Sequence, residues 1–134
     1  MPPLPRTQDS EKITINLGYV DLGQIDLLVQ DGFYANRTDL IRTAIRNQLD
    51  RHADSLRQSA ARKTLDLGLR HITRAELEAA HAANQTLHIN VLGLVTLAAD
   101  IPPDLARATI ASLTVLGALQ APAELKAALA DRIR

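Results

Sequence analysis

Residues 11–17, EKITINL, carry one short strand pattern with no second strand pattern close to it. Ile13, Ile15 and Leu17 alternate with Lys12, Thr14 and Asn16, so a period of two puts three apolar side chains on one side and three polar ones on the other. A strand alone leaves a row of unpaired backbone N–H and C=O groups and is not stable. The nearest available partner is the same segment of a second copy, paired antiparallel across a two-fold axis. The product is a two-stranded ribbon with an apolar underside and a Lys/Thr/Asn upper face.

The residues behind the strand read as support for it. Gly18 breaks the strand, and Asp21 is an expected N-cap for a helix over residues 22–30, with Leu22, Ile25, Leu28 and Val29 at helical spacing. Asp31-Gly32 ends that helix, with Gly32 suited to the left-handed position, and Phe33 is expected to plug the core. Asn36 is an expected N-cap for a second helix, whose Leu40, Ile41, Ala44, Ile45 and Leu49 define one buried face. Its first turn, Asn36-Arg37-Thr38, combines free backbone N–H groups, the positive end of a helix dipole, a hydroxyl and a guanidinium, a combination that suits a phosphate. A two-stranded ribbon fits the major groove, and Lys12, Thr14 and Asn16 are residue types that hydrogen-bond base edges.

Over residues 12–51, this strand, Gly turn and the wording GFYANRTDLIRTAI resemble a ribbon-helix-helix domain of the CopG/Arc/MetJ type. The resemblance covers some forty residues and implies an intertwined dimer that binds DNA. It implies base-reading roles for Lys12, Thr14 and Asn16, and a phosphate clamp at Asn36, Arg37 and Thr38.

The rest of the chain resembles no named domain. Residues 53–63 read as a helical extension or linker, and residues 65–69 alternate like a short strand. Thr73-x-x-Glu76 is a capping-box pattern heading a helix to about residue 83, with Leu77 and Ala80 inward and Asn84 as its stop. Residues 87–97 and 112–119 read as strands. Pro102-Pro103-Asp104 opens a short helix, and Pro122 is expected at the first position of a last one. Asn90-Val-Leu-Gly-Leu matches Thr114-Val-Leu-Gly-Ala at an offset of 24, a repeat of two copies, too few for a solenoid. Gly93 and Gly117 suit a bulge or a close backbone approach.

Composition bounds what this chain does. Lys+Arg and Asp+Glu each number 15, so net charge gives no support for nucleic-acid binding, which must rest on local placement. With few cations placed for phosphate, one dimer is expected to hold DNA weakly at physiological salt, so dimers arrayed on repeated sites, or a higher oligomer, are expected. Cysteine is absent, which excludes disulfides and thiolate metal sites and suits the cytoplasm. No apolar run reaches the length of a membrane span. His52, His71, His81 and His88 lack ligand spacing, so no metal or other cofactor is expected, and no nucleophile–base pair or phosphate loop points to an enzyme.

The expected fold is therefore α+β: an arm at 1–10, a ribbon-helix-helix domain at 11–52, a helical link at 53–63, and an α+β module at 64–134 with two or three strands and short helices, serving oligomerisation or sensing. The expected function is a sequence-specific, DNA-binding transcriptional regulator, a repressor, acting as a homodimer or a tetramer or higher on an operator. Two other readings stay open. One is an antitoxin that also binds a toxin partner, against which the long, apolar, strand-rich C-terminal half speaks. The other is an assembly protein that uses the ribbon only to dimerise, which the neutral charge favours.

Overall fold

The computed structural model describes residues 10–134, so the expected N-terminal arm lies almost wholly outside the described residues. The chain divides into two compact units, Met1–Arg57 and Gln58–Arg134.

In the first unit, residues 10–18 are neither helix nor strand and are exposed throughout. Among the described residues of this unit there is no strand for residues 11–17 to bond to. Helix α1 spans Tyr19–Gln30 with Gly18 as N-cap, three residues ahead of the expected start. Asp21 therefore does not cap it; its carboxylate lies in the first turn, at the positive end of the dipole. The helix closes at Asp31. Gly32, at φ +88°, donates its N–H to Val29 (3.1 Å), and Phe33 donates to the Leu28 carbonyl (3.0 Å), a pair of bonds that needs the left-handed residue. Phe33 does not plug a core: it is 69% exposed.

Helix α2 spans Arg37–Arg51 and ends at His52, after which α3, Ala53–Arg62, forms a separate helix rather than a continuation. None of the three helices buries a residue within the chain. The expected buried face of α2 is half-buried at Leu40 and Ile41 and open at Ala44, Ile45 and Leu49. The physical reason is geometric, since two short helices meet along one line and no described residue of the unit covers the other apolar positions.

The second unit has its own core. Strands β1 (Asp66–Ile72), β2 (Leu87–Leu97) and β3 (Ile110–Gln120) form a parallel sheet in the order β1-β2-β3. Helices α4 (Arg74–Ala82) and α5 (Pro103–Thr109) make the crossovers that parallel pairing requires, and α6 (Ala123–Ala128) follows β3. Thr73 caps α4 by accepting the Glu76 N–H at 3.2 Å, as expected from the sequence. Pro122 sits one place outside its expected position, as the N-cap of α6. The core joins Ile72, Ile89, Val91, Val95, Leu97 and Leu113 of the strands to Leu77, Ala106, Leu125 and Leu129.

The internal repeat has three copies, not two. Gly68 pairs in register with Gly93, and Gly93 with Gly117, while Leu67, Leu92 and Leu116 align one place before them. Each strand–helix turn therefore stacks on its neighbour as in a short solenoid. All three glycines have positive φ, at +130°, +145° and +122°. A Cβ on Gly93 would lie 2.1 Å from the Gly68 carbonyl oxygen, and one on Gly117 would lie 2.0 Å from that of Gly93. No side chain fits there, so glycine sets how closely the three strands pack. At Gly68 a Cβ would meet nothing within 4 Å.

Gly93→Ala combines an unfavourable backbone conformation with a clash and is expected to destabilise the second unit by about 2–5 kcal/mol. Gly68→Ala carries only the conformational term, about 1–3 kcal/mol. Urea unfolding followed by the sheet's circular dichroism checks the order; equal losses would show that the clash is relieved.

Candidate nucleic-acid interface

Two groups of residues in the first unit have the chemistry of a nucleic-acid contact. The first is the polar set of the N-terminal segment. Lys12, Thr14 and Asn16 are exposed, and so are Ile13 and Ile15 between them, at 72% and 59%. The alternation that sorts these residues onto two faces acts only once the segment is paired, and in the single chain it is not.

The second group is the start of α2. Asn36 adopts extended backbone, and its Oδ1 accepts the Asp39 N–H at 2.8 Å. Asp39 Oδ2 in turn accepts the Ala35 N–H at 2.9 Å, a reciprocal cap that fixes the entry to the helix. The backbone N–H groups of Arg37 and Thr38 make no hydrogen bond among the described residues, as expected for the first turn of a helix. They are the donors that an anion at this terminus would meet. A shallow depression beside them is lined by Asn36, Thr38, Asp39, Arg42 and Arg46.

Arg37 is placed differently from its expected clamp role. Its guanidinium binds Asp26 of α1 in bidentate fashion, Nε to Oδ1 and Nη2 to Oδ2, both at 2.8 Å. The pair joins α1 to the first residue of α2, and both side chains are about half exposed. The hydrogen bond from Arg37 holds the Asp26 carboxyl below the usual aspartate range, and the same contact raises Arg37. Asn36 and Thr38 remain at the helix start, whereas Arg37 has an intramolecular partner eleven residues earlier in the chain.

Arg42 and Arg46 follow Thr38 at intervals of four, so the three share one face of α2. The expected clamp of Asn36, Arg37 and Thr38 does not include Arg46, although the i, i+4, i+8 spacing of Thr38, Arg42 and Arg46 is readable in the sequence. His71 Nδ1 lies 2.6 Å from Thr96 Oγ1 and His88 Nδ1 lies 2.8 Å from Ser112 Oγ, two cross-strand contacts of the sheet.

The fold is thus a small helical unit with its apolar residues uncovered, followed by a self-contained parallel α/β stack. The family model for the ribbon-helix-helix transcriptional regulator family matches residues 8–126. The chain belongs to that family. The match runs through the sheet to α6, so the C-terminal half, unrecognised from the sequence, is part of what the family model describes. No curated protein and no solved structure matches the chain. Among the described residues, no helix is long and apolar enough to cross a membrane.

Because the folded-state pKa of Asp26 is depressed, its pairing stabilises the protein above the carboxyl's unfolded-state pKa, and that contribution is lost as pH falls through the folded value. Asp26→Asn is therefore expected to lower thermal stability at neutral pH and to leave it nearly unchanged at strongly acid pH. Melting curves across this range check it; an equal deficit at both ends would place the effect elsewhere.

Proposed function

We propose that this protein is a sequence-specific, DNA-binding transcriptional repressor that works as a homodimer in the cytoplasm, by binding rather than by catalysis. Residues 11–17 of two chains pair antiparallel and enter the major groove. Lys12, Thr14 and Asn16 read base edges: Lys donates to guanine O6 and N7, Asn pairs with adenine N6 and N7, and Thr bonds a base or packs its methyl on thymine. Asn36 and Thr38, with the open N–H groups of the α2 start, hold a backbone phosphate. Arg37 joins them on the operator by exchanging Asp26 for a phosphate, and Arg42 and Arg46 extend the cationic face.

The observation that carries this reading is the uncovered apolar set of the first unit in a member of this family. Ile13, Ile15, Leu17, Leu28, Ile45 and Leu49 all lie between 37% and 72% exposed, and no described residue of the unit is buried. A stable domain does not leave so much aliphatic surface in water, and a second copy supplies the cover. Once paired, the same alternation leaves Lys12, Thr14 and Asn16 outward together.

The test is a fluorescence-anisotropy titration on DNA from the protein's own promoter region. Lys12→Ala and Asn16→Ala are each expected to cost roughly 1–3 kcal/mol and to relax sequence preference. Thr38→Ala is expected to weaken binding on all sequences alike. Unchanged affinity in both base-face variants would remove the assignment of that face.

A further inference from the structure

The two edges of the C-terminal sheet are treated differently. On the β3 edge, Ile133 forms a bridge with Leu113, whose N–H donates to the Arg132 carbonyl (3.0 Å) and whose carbonyl accepts from Arg134 (2.9 Å). On the other edge, Asp66–Ile72 pair with β2 on one side, and no described strand pairs with their outer side. That edge has neither proline nor lysine, and its charged side chains, Asp66 and Arg70, are of opposite sign. It presents Leu67 and Leu69 instead, 82% and 72% exposed. Between them, Gly68 shares the backbone conformation of Gly93 and Gly117 but has open space where those two meet a neighbouring strand's carbonyl.

The charges of this edge are self-complementary. Asp66 and Arg70 stand two places either side of Gly68, and side chains two apart share a face of the strand. The Asp66 side chain is exposed and its carboxylate has no hydrogen-bond or ionic partner among the described residues. Arg70 donates Nη2 to Glu76 at 2.8 Å, which leaves Nε and Nη1 for another carboxylate. In an antiparallel pair of two β1 strands centred on Gly68, Asp66 of each copy faces Arg70 of the other, and Leu67 faces Leu69. A single register thus satisfies both ion pairs and covers the exposed leucines.

We propose that the β1 edge is an interface between two copies of this chain, in which the strands pair antiparallel about a two-fold axis at Gly68 and join two three-stranded sheets into one of six. Pairing like edges closes the assembly, whereas stacking β1 on the β3 edge of another copy would leave free ends and meet the tail at Ile133. The interface is separate from the ribbon and does not rest on DNA binding.

The chain has no cysteine, so disulfide trapping in the full-length protein has a clean background. Directly opposed antiparallel residues lie about 4.5–5.5 Å apart at Cα, within disulfide range. The Leu67→Cys/Leu69→Cys chain is expected to run at twice its mass on a non-reducing gel after mild oxidation, with Leu67→Cys alone cross-linking far more slowly. Absence of that species would overturn the proposal, and so would preferential cross-linking of a Leu67→Cys/Leu116→Cys chain, the mark of head-to-tail stacking. Because both leucines are exposed, Leu67→Lys/Leu69→Lys is expected to keep the fold and to lose one association step in sedimentation; unchanged association would also overturn it.

Discussion

The first unit has aliphatic side chains and, among its described residues, no interior to put them in. Burying a leucine or isoleucine contributes roughly 1.5–3 kcal/mol, and in the single chain Ile13, Ile15, Ile45 and Leu49 gain little of it. What holds α1 to α2 within one chain is half-buried contact, a helix-closing turn at Gly32 and the exposed Arg37–Asp26 pair. An exposed pair of that kind is a weak fastening. On the proposed reading, dimerisation is therefore part of folding for this unit, and the strand whose backbone needs pairing also brings the base-reading side chains together.

The second unit solves the same problem inside one chain. Its twelve-residue core cluster is closed over by the helices, and the glycine positions let adjacent strands approach too closely for any side chain. The same repetition that builds it leaves an end: β1 is the first turn of the stack and has no turn before it among the described residues. One chain thus carries two surfaces with unmet pairing capacity, the N-terminal segment and the β1 edge. On the proposed reading, balanced charge and few cations at the α2 start leave affinity for DNA to several ribbons acting together, and the proposed β1 interface would be a physical means to that end.

Features governed by local chemistry were legible in the sequence. The Asn36 and Thr73 caps, the Gly32 stop and the bounds of β2 all follow from side chains within a few positions of each other. Features that depend on distant or missing partners were not. Arg37 reads as a free cation until Asp26, eleven residues earlier, is seen beside it. Phe33 reads as a core residue because nothing local says that the single chain lacks a core there. The third repeat is masked in the sequence because its strand is an edge, with Asp66, Arg70 and His71 where the inner strand has Val91, Val95 and Thr96. The start of α1 was misplaced because Gly18 caps it without a side-chain bond, leaving Asp21 as the more visible signal.

The central claim is that the first unit takes its core from a second chain while the second unit does not. Amide hydrogen exchange on the full-length protein over a dilution series tests this directly. Protection in α1 and α2 is expected to fall away as dimers dissociate, while β2 and α4 keep theirs. Undiminished protection of α1 and α2 at concentrations where sedimentation shows a monomer would contradict it.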